Sequence, residues 1–161
     1  MSWSIVNFTG EEIIKLALEM ERTGKVFYEK AASYAGDVQL KEILSYLSKE
    51  EEKHIRDFQK LGEKLANEFV PNETYAGEYG DYLKSIINNH IFNVNTVEDL
   101  VKGIKTDRDI LQFALSFEKD SIMIFQEFEN FVNKAGKDVI NELIDEEKGH
   151  IKKINSLFQI I

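Results

Sequence analysis

Four stretches of this 161-residue chain carry an apolar side chain every three or four positions, and each stripe is broken midway by a group that ionises. Such spacing places the apolar residues on one face of an α-helix, the face that packs into a core. The first stripe reads Ile14, Ala17, Glu21, Gly24, Tyr28, Ala31, and the second Leu40, Leu44, Leu47, Glu51, His54, Phe58, Leu61, Leu65. The third reads Leu111, Ala114, Glu118, Ser121, Phe125, Phe128, and the fourth Ile140, Leu143, Glu147, His150, Ile154, Leu157. One proline and nine glycines are few breakers, so helices of this length are available to the chain.

Local signals bound the four helices. Thr9 and Glu12 have the spacing of a capping box, and Gly36 is a C-terminal stop for a helix running to about Ala35. Asp37 caps the second helix, expected to continue to about Phe69, because Val70 precedes the only proline, Pro71. Residues 71–106 form a connection, with Thr96-Val-Glu-Asp99 as the start of a short helix. The third long helix is expected from near Asp107 to about Asn133, broken by Ala135-Gly136, and the fourth from about Lys137 to near the end. Tight loops make antiparallel hairpins. The expected fold is therefore all-α: one domain over residues 1–161, two antiparallel helical hairpins joined by a long crossover, the connectivity of a ferritin-like four-helix bundle.

The halves repeat each other. With Glu51 on Glu147, Leu47 meets Leu143, Glu50 meets Glu146, His54 meets His150 and Leu61 meets Leu157. In the other helices Ala17 meets Ala114, Glu21 meets Glu118 and Tyr28 meets Phe125. The pattern indicates an internal duplication with a pseudo-twofold axis.

Six ionisable groups then converge at one depth: Glu21, Glu51, His54, Glu118, Glu147 and His150. Each unpaired buried carboxylate carries an effective penalty of roughly several kcal/mol, and four together also repel one another. Two dications would cancel the four charges and take both imidazoles as ligands, the constellation expected of di-iron or di-manganese bundles. The competing arrangement is a set of buried ion pairs, but no lysine or arginine lies on these stripes near the site. Oxygen and nitrogen donors suit iron or manganese. The absence of cysteine excludes disulfides and sites built on thiolates.

A net charge of −9 argues against nucleic acid as a partner. No run approaches the ~20 apolar residues of a membrane span, and Met1–Ile13 does not read as a secretory signal, so a cytoplasmic protein without membrane association is expected. His90 reads as a crossover surface or packing residue. Phe125, Phe128 and Phe131 read as core, and the acidic runs 50–52 and 145–147 as partly solvated faces apart from the one inward glutamate in each. Trp3 packs either on a bundle end or on a partner.

With its two Glu-x-x-His segments and EMERTGKVFYEKAA at 19–32, the chain resembles ferritin-like di-iron carboxylate proteins of the rubrerythrin group. The resemblance covers nearly the whole chain. It implies that Glu51 and Glu147 bridge two iron ions, that Glu21 and Glu118 are terminal ligands, and that His54 and His150 bind one metal each. Tyr28 either hydrogen-bonds a ligand carboxylate or is simply a core aromatic. The implied activity is reduction of peroxide, or of dioxygen, in oxidative-stress defence, by a peroxidase-like oxidoreductase that works as a homodimer. Rubrerythrins often carry a cysteine-bearing rubredoxin domain. This chain has no cysteine, so a separate electron donor, a rubredoxin or a reductase, is expected. Ser121 stands where many of these proteins have a further glutamate, which puts their peroxide-linked ligand movement in doubt. Bacterioferritins place a haem-binding methionine directly after the bridging glutamate, whereas this chain has Glu52 there, so no haem is expected. The alternatives are iron oxidation and storage of the ferritin type, or a helical module without catalytic function.

Overall fold

The computed structural model describes residues 10–65, 81–82, 85–86 and 94–161. Five α-helices account for nearly all of them: α1 (Gly10–Tyr34), α2 (Val38–Leu65), α3 (Val94–Gly103), α4 (Asp107–Phe128) and α5 (Lys134–Phe158), with a 3₁₀ turn at Glu129–Phe131. The expected all-α bundle is what forms: α1 packs on α2, α4 packs on α5, and the two hairpins pack together through α1·α4 and α2·α5.

Helix direction follows from which part of the core each half-helix enters. One apolar cluster holds Ile13, Ala17 and Met20 of α1, Phe58 and Leu61 of α2, Ile124, Phe125 and Phe128 of α4, and Ile140 and Leu143 of α5. The other holds Phe27, Tyr28 and Ala31 of α1, Leu40, Leu44 and Leu47 of α2, Leu111, Ala114 and Phe117 of α4, and Ile154 and Leu157 of α5. Thus α1 and α5 run from the first cluster to the second, while α2 and α4 run back. The end of α2 and the start of α4 lie at opposite ends of the bundle, as a long crossover requires. α3 adds Val97 and Val101 to the second cluster.

Short polar contacts fix the turns. Asp37 Oδ1 accepts from Leu40 N at 2.9 Å and caps α2, as its sequence position predicts. Asp107 crosses between the hairpins: its two carboxylate oxygens accept from Gly36 N at 2.8 Å and Asp37 N at 2.7 Å. A capping box starts α4, with Thr106 Oγ1 accepting from Asp109 N and Asp109 Oδ2 accepting from Thr106 N.

The third break differs from expectation. α4 ends at Phe128 rather than near Asn133, and Ala135-Gly136 do not interrupt a helix but lie in the first turn of α5. Asn133 is the reason: its side-chain oxygen accepts from Gly136 N at 3.0 Å, so the helix can begin at Lys134. In the 3₁₀ turn residues three apart share a face. Phe128 and Phe131 therefore both enter the first cluster, followed by the extended Val132. The Thr9–Glu12 capping box, the end of α2 near Phe69, Pro71, His90 and Trp3 lie outside the described residues or side chains.

Candidate metal centre

A polar layer separates the two apolar clusters. Glu21, Glu51, Glu118 and Glu147 have no exposed surface, nor does His54, and His150 is 2% exposed. All six side chains singled out by the interrupted stripes meet there. They form two overlapping groups, Glu21, Glu51, His54 and Glu147, and Glu51, Glu118, Glu147 and His150. Within each group the four nearest ligand atoms lie within 4.8 Å of one another. Glu51 and Glu147 belong to both groups, so each can face two ions, whereas Glu21 and His54 serve one side and Glu118 and His150 the other.

The histidines present the same atom to the cluster. His54 Nδ1 lies 3.1 Å from Glu21 Oε2, 3.2 Å from Glu147 Oε1 and 3.7 Å from Glu51 Oε2. His150 Nδ1 lies 2.8 Å from Glu147 Oε2 and 3.5 Å from Glu118 Oε2. The two rings stack side by side, with centroids 5.6 Å apart. Five carboxylate oxygens, on Glu21, Glu51, Glu118 and Glu147, are buried without a hydrogen-bond donor, as is Ser121 Oγ. Orphaned buried oxygens are costly, and these converge on the imidazole nitrogens. The donor set therefore fits hard or borderline divalent ions, and the sharing of Glu51 and Glu147 fits a pair of them.

Protons take the place of cations in the metal-free cluster. Burial pushes Glu51 and Glu118 well above the usual carboxylate range, and their carboxylate neighbours push them further. Burial also raises Glu21, against the lowering effect of Glu51 and His54. Burial disfavours charge on His54 and His150, but hydrogen bonds to the glutamates outweigh it: both are raised, His150 to about 10. Glu147 is held low despite its burial by bonds from Glu118 and both histidines. Cations entering such a site must displace these protons.

Tyr28 is both a core aromatic and a hydrogen-bond donor. It is fully buried, its ring meets Phe117 edge to face, and its hydroxyl donates to Glu118 Oε1. Its repeat partner Phe125 has no hydroxyl to offer the other half. Gly24, one turn before Tyr28, lets α4 approach: a Cβ there would come within 2.3 Å of Phe117 Cζ.

Sequence reasoning missed Glu146 and Lys53. Glu146 Oε2 lies 2.9 Å from His54 Nε2, and Lys53 Nζ lies 2.7 and 2.8 Å from the two Glu146 oxygens. The acidic run at 145–147 is thus more than a solvated face. The available signal was the repeat, which places a glutamate directly before both Glu51 and Glu147. Which histidine each of them reaches is a cross-helix matter that spacing along one helix does not contain.

A ferritin-like helical bundle with a carboxylate–histidine cluster at mid-height defines the class of this protein. Within that class the chain belongs to the rubrerythrin family, whose family model matches residues 2–90, more than half of its length. The match covers α1 and α2, which carry Glu21, Glu51 and His54. Glu118, Glu147 and His150 join the cluster through the repeat and the geometry. No curated protein and no solved structure matches the chain. Among the described residues no helix is long and apolar enough to cross a membrane.

Proposed function

We propose that this protein is a di-iron carboxylate oxidoreductase that reduces peroxide, taking electrons from a separate donor protein and working as a homodimer. The observation that carries the reading is the sharing of Glu51 and Glu147 between two buried four-residue groups, each with one histidine. Membership of the rubrerythrin family and the mixed oxygen and nitrogen donors favour iron, with manganese the other ion such donors suit.

In this reading Glu21, Glu51, Glu147 and His54 hold one ion, and Glu51, Glu118, Glu147 and His150 the other. A ferrous pair held there would supply the two electrons that, with two protons, convert peroxide to two waters. The chain's own side chains set the conditions. The apolar clusters above and below the polar layer exclude bulk water. In the metal-free protein, burial and then the Glu118 and Glu51 carboxylates raise the Tyr28 phenol well above its ordinary value. Its hydroxyl donates to Glu118 and would orient that ligand.

The test is metal analysis with stopped-flow oxidation. Protein isolated gently should hold two iron ions per chain. Reduced under anaerobic conditions, it should be oxidised by peroxide faster than by dioxygen. Faster oxidation by dioxygen, with assembly into a hollow cage by light scattering, would favour iron storage instead. Glu51→Ala should lower metal content to one ion or none and abolish the oxidation, whereas unchanged metal content would remove the reading.

A further inference from the structure

The duplicated site is not electrostatically symmetric. Its fully buried His54 has Nε2 at 2.9 Å from Glu146 Oε2, and that carboxylate is gripped by Lys53 through both oxygens. Glu146 is about one-third exposed, so without Lys53 it would be free to swing into water. The corresponding contact in the other half is looser: Glu50 Oε2 stands 3.9 Å from His150 Nε2, beyond a hydrogen bond. The repeat explains the difference. Lys53 aligns with Gly149, and the space that a side chain at Gly149 would enter is open. Glu50 is instead hydrogen-bonded to Tyr46, whose phenol is raised by burial, then by the charge of that carboxylate and by the bond to it, and the Tyr46 ring packs edge-on to His150.

An imidazole that donates Nε2–H to a fixed carboxylate has its ring orientation and tautomer set, and its other nitrogen becomes a better metal donor. We propose that Glu146, braced by Lys53, is a positioning residue that locks His54 with Nδ1 facing the carboxylates, making the Glu21–His54 half of the centre the tighter of two unequal metal sites. Glu50, which has no lysine on its carboxylate at the repeat-equivalent position and stands 3.9 Å from His150 Nε2, leaves His150 in the weaker half. This rests on the metal-centre reading above.

Metal-free protein titrated with Co(II) without oxygen, followed by ligand-field absorption and calorimetry, tests it without any turnover. The wild-type chain should take two equivalents of unequal affinity. Glu146→Ala should weaken the tighter one by about 10–100-fold. Lys53→Met should act on the same equivalent in the same direction, and Glu50→Ala should move either equivalent by less than about threefold, because Glu50 makes no hydrogen bond to His150. In a His54→Ala background Glu146→Ala should add nothing, whereas in a His150→Ala background its full effect should remain. Two-equivalent binding that is unaltered by Glu146→Ala and Lys53→Met, or weakened equally in both equivalents, would overturn the assignment alone. A wild-type chain that takes up no Co(II) would overturn the metal-centre reading as well.

Discussion

At the scale of single residues, the centre is a set of groups held in unfavourable surroundings. Burial and the neighbouring Glu21 and Glu147 charges raise Glu51 far above its usual range, so the carboxyl is a liability until cations arrive. Glu51→Gln should therefore raise the thermal midpoint of the metal-free protein, by roughly 2–4 °C for each kcal/mol relieved. It should lower the midpoint of the metal-loaded protein; differential scanning calorimetry of both forms checks the reversal. His150 acts the other way. Burial opposes its charge, but Glu118 and Glu147 lift it to about 10, against about 6.5 in an unfolded chain. A folded pKa above the unfolded one contributes stability that is complete below about pH 6.5 and lost as pH rises through about 10. The metal-free midpoint should fall across that window, and a flat profile would contradict the cluster's geometry. Tyr28→Phe leaves Glu118 Oε1 buried without its donor and should cost about 1–3 kcal/mol in urea unfolding of the metal-free protein.

At the scale of elements, close approach of α1 and α4 depends on one missing side chain. The Phe117 ring occupies the space a Cβ on Gly24 would need, and it cannot withdraw easily, because it is fully buried and packed on Tyr28. Gly24→Ala gains up to about 1 kcal/mol of helix propensity but overpacks a core contact, which typically costs ~1–3 kcal/mol. The net outcome should be destabilisation, with a shifted Tyr28 ultraviolet signal as the ring pair moves. The stripe made Gly24 legible as a core-facing position, but only the facing helix shows why it must be glycine. The same holds for the start of α5. Ala135-Gly136 reads locally as a break, yet Asn133 capping Gly136 N turns those residues into a first turn.

For the whole molecule, the polar layer divides what would otherwise be one apolar core into two. Cation binding should then act as a clamp across all four long helices, since each supplies at least one ligand group. A ligand present at about 1,000 times its Kd stabilises by about 4 kcal/mol. Metal loading should therefore raise the unfolding midpoint markedly, and a chelator should return it to the metal-free value. A midpoint indifferent to Fe(II), Mn(II) and Co(II) would mean that the four helices are not cross-linked through this layer.

The one-dimensional pattern determined the bundle and the membership of its polar layer. Helical periodicity fixes which face of each segment is buried, and an ionisable residue on that face must meet its counterparts when the faces pack. Glu21, Glu51, His54, Glu118, Glu147 and His150 were accordingly legible before folding. What only the tertiary structure decided are the contacts between faces: Tyr28 donating to Glu118, Phe117 filling the space beside Gly24, and Lys53 holding Glu146 against His54. Those depend on the separation and rotation of helices distant in sequence, and periodicity along a single helix carries no information about either.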